Sequence, residues 1–347
     1  MLHILITFDY ELFFNKAFYT EEEVLIKPTD IICKALKQFD VKGTFFVDTP
    51  CIERYYEYGL TEFPLMAQKQ INNMLNEGHD IQLHTHPSWY GAEYNNGEWN
   101  FDNATYKYDS YKDCKEKIVR AKKTLDNLIT AKSAYNCCAY RAGGFCLSPE
   151  GELLDTLHDL NIVFDSSVCV GMKNESVSQS FDWGRFKSNK QWFFSPENGL
   201  DGGYDKEKVM CEIPVATFSK VPQKYWVTRM QPKLNYPAMK GLRSEKAIVH
   251  QTSILKRMSK RVYDSITTPV LFTLDTLHPN ALLFMLKHYI QESKMYGEDT
   301  YVCLIGHPKF ASEESVESLK SFLEMAMKYK DQFDFITFQD AKKRILL

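Results

Sequence analysis

The sequence predicts an α/β fold on a parallel sheet, open or closed into a barrel. Three observations carry this expectation. Short apolar runs alternate with longer amphipathic stretches, the rhythm of strand–helix–strand units. At 347 residues, the chain suits one large domain or two. Hydrophobic residues at 44% and charged residues at 25% are those of an ordinary globular chain, which excludes wholesale disorder, collagen and a disulfide knot.

The elements follow in order. The apolar opening reads as a buried strand over 3–8 rather than a signal peptide, because no Lys or Arg precedes it and Asp9 and Glu11 interrupt it. Pro28 opens a helix over 28–39, and Gly43 follows its end, before a strand over 43–47. A helix over 62–77 stops at Gly78, ahead of a strand over 79–83. Helix 110–130 leads to strand 137–140, and helix 149–160 to strand 162–164. Strand 269–273 precedes a helix over 279–293 that opens on Pro279. Strand 301–306, helix 313–329 and strand 334–338 complete the chain. Residues 174–268 break the rhythm, and they hold Trp183, Trp192, Trp226 and the Gly202-Gly203 pair. The expectation is a single domain over 1–347 with an insertion or cap at about 174–268.

Composition narrows the function classes. Nine cysteines form no Cys-x-x-Cys pair, so a disulfide framework and a zinc knuckle are not expected, and a reducing cytoplasm is. No run reaches ~18 apolar residues, so no transmembrane helix is expected. A net charge of −3 excludes nucleic-acid binding by bulk charge. Charge is uneven, however: residues 219–262 hold eleven basic residues against the single acid Glu245. That segment reads either as a solvated surface on an acidic body or as a patch for an anionic ligand such as a pyrophosphate or charged glycan.

In a parallel sheet, reactive groups collect at the C-terminal ends of the strands. The first strand runs into Asp9-Tyr10-Glu11, and positions i and i+2 of an extended chain share a face. Two carboxylates so placed repel unless a cation or proton intervenes; they are either a metal ligand with a base, or simple loop carboxylates. The strand with Ile81 and Leu83 ends in His84-Thr85-His86, the same spacing with two imidazoles, a facial pair for a divalent metal. Strand 137–140 ends in Arg141-Ala142-Gly143-Gly144-Phe145, where Arg141 can clamp a carboxylate and the glycines admit a close ligand. Strand 162–164 ends in Asp165, able to orient a histidine or cap a turn. Strand 301–306 delivers His307, placed for proton transfer or satisfied within its loop. Together, the five strand ends describe a metal-dependent hydrolase site.

These motifs, in this order, resemble those of the polysaccharide deacetylase family, carbohydrate esterase family four. Thr7-Phe8-Asp9-Tyr10-Glu11 resembles the family's aspartate-rich first strand end, and Gly78 to Thr85 its histidine segment. Arg141 to Phe145 resembles the arginine turn, Phe164-Asp165-Ser166-Ser167 the aspartate turn, and Leu304-Ile305-Gly306-His307 the late histidine motif. The likeness is to divergent bacterial members associated with surface-polysaccharide synthesis. Two positions depart from the pattern. Tyr10 stands where the family has a second aspartate, making Glu11 the substitute ligand; Ser88 stands at the usual second histidine, making His86 the replacement.

The resemblance implies a distorted (β/α) barrel of about seven strands and hydrolysis of an N-acetyl group from an amino sugar. It implies one divalent metal on Glu11, His84 and His86, zinc before cobalt, nickel or manganese. Asp9 would be the general base, held ionised by Arg141. His307, oriented by Asp165, would be the acid, and a backbone N–H near Phe145 an oxyanion donor. The aromatics after the histidine pair, Trp89, Tyr90, Tyr94 and Trp99, either stack on sugar rings or serve only to pack their loop. The expected partner is an amino-sugar-containing carbohydrate or its nucleotide- or lipid-linked precursor. Two alternatives stand beside this: a deformylase or other amidohydrolase on the same scaffold, and an inactive carbohydrate-binding protein.

Overall fold

The structure, a computed structural model, describes residues 1–14, 20–101, 105–132, 134–204, 208–219 and 268–346. The basic run beyond Ser219 and Trp226 lie outside the described residues.

The strands are β1 (Leu2–Tyr10), β2 (Thr44–Asp48), β3 (Asp80–Thr85), β4 (Glu93–Asn95), β5 (Glu98–Asn100), β6 (Ala139–Ala142), β7 (Phe164–Asp165), β8 (Lys173–Glu175), β9 (Ser180–Asp182), β10 (Trp192–Phe194), β11 (Met210–Glu212), β12 (Thr217–Phe218), β13 (Val270–Leu271), β14 (Thr300–Gly306) and β15 (Phe333–Ile336). The helices are α1 (Lys27–Lys37), α2 (Thr49–Glu57), α3 (Glu62–Asn76), α4 (Cys114–Leu128), α5 (Glu150–Asp159), α6 (Pro279–Tyr296), α7 (Glu313–Ala326) and α8 (Phe338–Ile345).

One curled sheet organises the molecule, in the order β10-β11-β7-β6-β3-β2-β1-β14. Its pairings are parallel except that of β10 with β11. Every residue of β1, β2, β3 and β14 is buried, as expected of parallel strands covered on both faces. One edge of β1 is shared: β15 pairs with Leu2 to Leu5, and β2 takes over from Thr7 to Tyr10. Single-residue bridges draw the far side round. Val215 pairs with both Cys169 and Cys303, and Thr273 pairs with Ile305. The result is a distorted (β/α) barrel.

Local chemistry sets the boundaries. Pro279 opens α6, where the missing N–H costs no hydrogen bond, whereas Pro28 follows a π-helical turn over Glu22–Ile26 that runs directly into α1. Ser312 with Ser315, and Thr337 with Asp340, form reciprocal caps on α7 and α8. Within 174–218, β10 and β11 join the main sheet, β11 in parallel with β7, while β12 pairs antiparallel with β13 in a separate two-stranded sheet. No described helix is long and apolar enough to cross a membrane.

Candidate metal centre and active site

Parallel strands deliver their C-terminal ends to one rim, and the candidate residues meet there. Glu11, just beyond β1, lies between the two imidazoles of the β3 end. Its Oε2 is 3.2 Å from His84 Nε2 and 3.1 Å from His86 Nδ1. One donor atom from each of these three buried residues falls within 4.8 Å of the others, close enough to share a cation. His84 Nδ1 is 2.7 Å from the Arg141 carbonyl, which takes the proton there and leaves Nε2 facing Glu11. Ser88, four residues after His84, turns its hydroxyl away to donate to the Thr105 carbonyl at 2.8 Å. The geometry therefore groups His86, not Ser88, with His84 and Glu11.

Asp48 at the end of β2 fixes the second imidazole. It accepts the His86 backbone N–H at 2.9 Å and the Trp89 indole N–H at 2.8 Å, and its Oδ2 is 3.3 Å from His86 Nδ1. Gly143 leaves room for that ring: a Cβ there would sit 2.4 Å from His86 Cδ2 and 2.6 Å from the Thr85 carbonyl. Gly144 (φ 57°) and Phe145 (φ 59°) then turn the chain through the left-handed region.

Asp9 faces the same space but has a different partner. Arg141 Nη1 donates to it at 2.6 Å, while Nε and Nη2 hold the Ser166 carbonyl and hydroxyl at 3.0 and 3.1 Å. The guanidinium also lies 4.1 Å from the Phe46 ring centroid. Burial raises the Asp9 pKa, but Arg141, then His84 and His307, outweigh it, so the carboxyl is held below its ordinary value. Glu11 is likewise buried, and Lys309 and the histidines hold it well below its ordinary value. His84, despite burial, is pushed up to about 8 by Asp9 and Glu11.

His307 is the more open member, its side chain 19% exposed. Its Nε2 is 3.6 Å from Asp9 and 3.7 Å from Glu11. Its Nδ1 is 2.7 Å from Asp275, which also accepts the His307 backbone N–H at 2.7 Å. Burial lowers the His307 pKa, yet Asp275 prevails and raises it.

One expectation changes here. Asp275 takes the bond to His307 that was expected of Asp165. Asp165 is instead buried against Glu212, its register partner, and accepts from Ser167. Burial raises both carboxyls, and the neighbouring Asp165 charge raises Glu212 further, well above its ordinary value. Trp89 is 1% exposed, packs on Trp99 and Phe101, and meets open space only in the cavity wall that it shares with Tyr94 and Trp99. The rings beside the cluster are Phe14 and Tyr106, 4.7 and 5.6 Å from His86. A cavity of about 690 Å³, lined in part by Leu12, Phe13 and Tyr55, adjoins the cluster without containing it.

Asp48, Asp275 and Lys309 were not anticipated. Asp48 and Asp275 carried a readable signal, since each is a carboxylate at or just beyond the end of an expected strand, as Asp9 is. Lys309 carried none.

A sequence profile described as polysaccharide deacetylase matches residues 3–146. No curated protein matches the chain. A Mycobacterium smegmatis structure assigned as a polysaccharide deacetylase is similar at 12% identity and a TM-score of 0.51, over 99% of this chain and 90% of its own. The Puue allantoinase is similar at 12% identity and 0.52, over 98% and 88%. A Pseudomonas aeruginosa PAO1 structure assigned as a polysaccharide deacetylase gives 10% and 0.51, over 98% and 89%. At these identities the structures establish a shared fold.

Proposed function

From the polysaccharide deacetylase profile over residues 3–146 and the shared fold, we propose that this protein is a metal-dependent hydrolase that removes an N-acetyl group from an amino sugar in a polysaccharide or its precursor. The observation that carries this reading is the convergence of Glu11, His84 and His86 beside an ionised Asp9 and a carboxylate-held His307. The donor set fits a divalent cation of the zinc type: two imidazoles and a carboxylate, buried, with the His84 tautomer fixed. Such an ion, when bound, supplies Lewis acidity to the acetyl carbonyl and acidifies a water.

The chain's own groups supply the rest. Asp9, held anionic by Arg141, takes a proton from the attacking water. His307, its basicity raised by Asp275, returns a proton to the leaving amine. Asp48 and Gly143 hold the His86 ring in place. We assign a backbone N–H near Phe145 to the developing oxyanion. Phe14 and Tyr106 form an apolar wall for the sugar. Nine buried, unpaired cysteines support action in a reducing compartment such as the cytoplasm.

The test is release of acetate from N-acetylated amino sugars by the zinc- or cobalt-loaded protein. N-formylated sugars and allantoin are assayed beside them, because the fold is shared with an allantoinase. Acetate release abolished by Asp9→Asn supports the proposal. Turnover of the formyl sugars or allantoin alone would favour a different amidohydrolase, and no turnover with metal bound would favour a binding protein.

A further inference from the structure

Lys309 is the one strongly placed charge in the site that the proposed reaction does not use. It lies on the short turn Pro308–Phe310 directly after His307 and is 9% exposed. Its Nζ is 2.6 Å from Glu11 Oε1, the oxygen turned away from the histidine pair, and 3.4 Å from the Leu12 carbonyl. Three rings box the ammonium: Phe13, Phe310 and Phe14 have centroids 5.2, 5.4 and 5.6 Å from Nζ. A cation so enclosed keeps its place, since the ring faces attract it and Glu11 anchors it.

The charges in the site follow from this. Asp9 and Glu11 are buried anions; Arg141 and Lys309 are buried cations paired with them one to one. Asp48 and Asp275, held to His86 and His307, add two further carboxylates to the site. An ion held by Glu11 Oε2, His84 and His86 meets a carboxylate already shared with an ammonium.

We propose that Lys309 is an internal counter-ion that competes with the metal for Glu11 and sets the metal affinity of this site. The inference rests on the ligand set Glu11, His84 and His86. At a separation of ~4 Å and an effective dielectric near 20, one such unit charge is worth up to on the order of 1,000-fold in affinity, of which solvent screening leaves at least about tenfold. Lys309→Gln keeps a donor beside Glu11 and removes the charge. Lys309→Arg keeps the charge.

The experiment is zinc titration of metal-stripped wild type and both variants by calorimetry, with zinc-induced shifts in Tm as a second readout. Lys309→Gln is expected to bind zinc at least about tenfold more tightly and to show the larger Tm rise, with Lys309→Arg close to wild type. A metal-free Lys309→Gln protein that folds only with zinc would also support the proposal. Equal or weaker binding in Lys309→Gln overturns it, as does tightening by Lys309→Arg to the same extent. Glu11→Gln separates the two claims: wild-type zinc binding in that variant would reject the ligand set and the proposal with it, whereas zinc binding lost there but unchanged in Lys309→Gln would reject the role of Lys309 alone.

Discussion

Replacing Arg141 by Met tests how Asp9, the proposed general base, is kept charged. Arg141 is fully buried and donates to Asp9 at 2.6 Å and to Ser166 at 3.0 and 3.1 Å. Methionine fills much of the volume but leaves a buried carboxylate with no guanidinium. Breaking one side of a buried pair in this way costs about 3–5 kcal/mol. The cost depends on pH, and the sign follows from the two folded states. In wild type the Asp9 pKa lies below its unfolded value, so its contribution to stability is present above the unfolded value and is lost only as pH falls through the folded one. In the variant, burial acts without Arg141 and pushes the folded pKa up. The penalty is then small near pH 4 and grows as pH rises above the unfolded value of about 3.9, by up to about 1.4 kcal/mol per pH unit. Urea denaturation at pH 4.5 and 7.5 measures this, with the difference between wild type and variant cancelling other titrations. A loss below about 1 kcal/mol at pH 7.5, or an equal loss at both values, would refute the argument.

Three further changes address separate parts of the site. Asp275→Asn is expected to lower the His307 pKa and cut kcat/KM at neutral pH by about a hundredfold; the alkaline limb of the pH–rate profile, which reports loss of the acid's proton, is expected to move to lower pH, and an unmoved limb contradicts the assignment. Gly143→Ala drives a methyl into His86 and the Thr85 carbonyl, so zinc affinity by equilibrium dialysis is expected to fall by at least about tenfold. Trp89→Phe removes the indole donor from Asp48 and should cost about 1–3 kcal/mol of stability while leaving KM for a sugar substrate unchanged; a raised KM with intact stability would place Trp89 on the binding surface.

Much of the fold is legible because its signals are local. The buried runs of β1, β3 and β14 and the helix start at Pro279 need only neighbouring residues to declare themselves. The bridges through Val215 and Thr273 are long-range pairings of very short segments, which leave almost no period to read. The strand-end rule brought Asp9, Glu11, His84, His86, Arg141 and His307 to one rim, because parallel strands share a polarity. It failed for Asp165, since a strand end does not say which neighbour the carboxylate will face. Glu212 comes opposite it through a register set by β11, and Asp275 reaches His307 from the segment beside β14. Trp89 shows a related limit of sequence reading. An aromatic after a histidine pair looks exposed until the indole N–H finds Asp48.

The central claim is that Glu11, His84 and His86 together hold one divalent ion. Equilibrium dialysis against zinc, followed by elemental analysis, tests it on wild type and on Glu11→Ala, His84→Ala, His86→Ala and Ser88→Ala. One equivalent in wild type and in Ser88→Ala, lost from the other three, is the predicted result. Zinc retained by His86→Ala but lost from Ser88→Ala, or no zinc bound by wild type, would contradict the account.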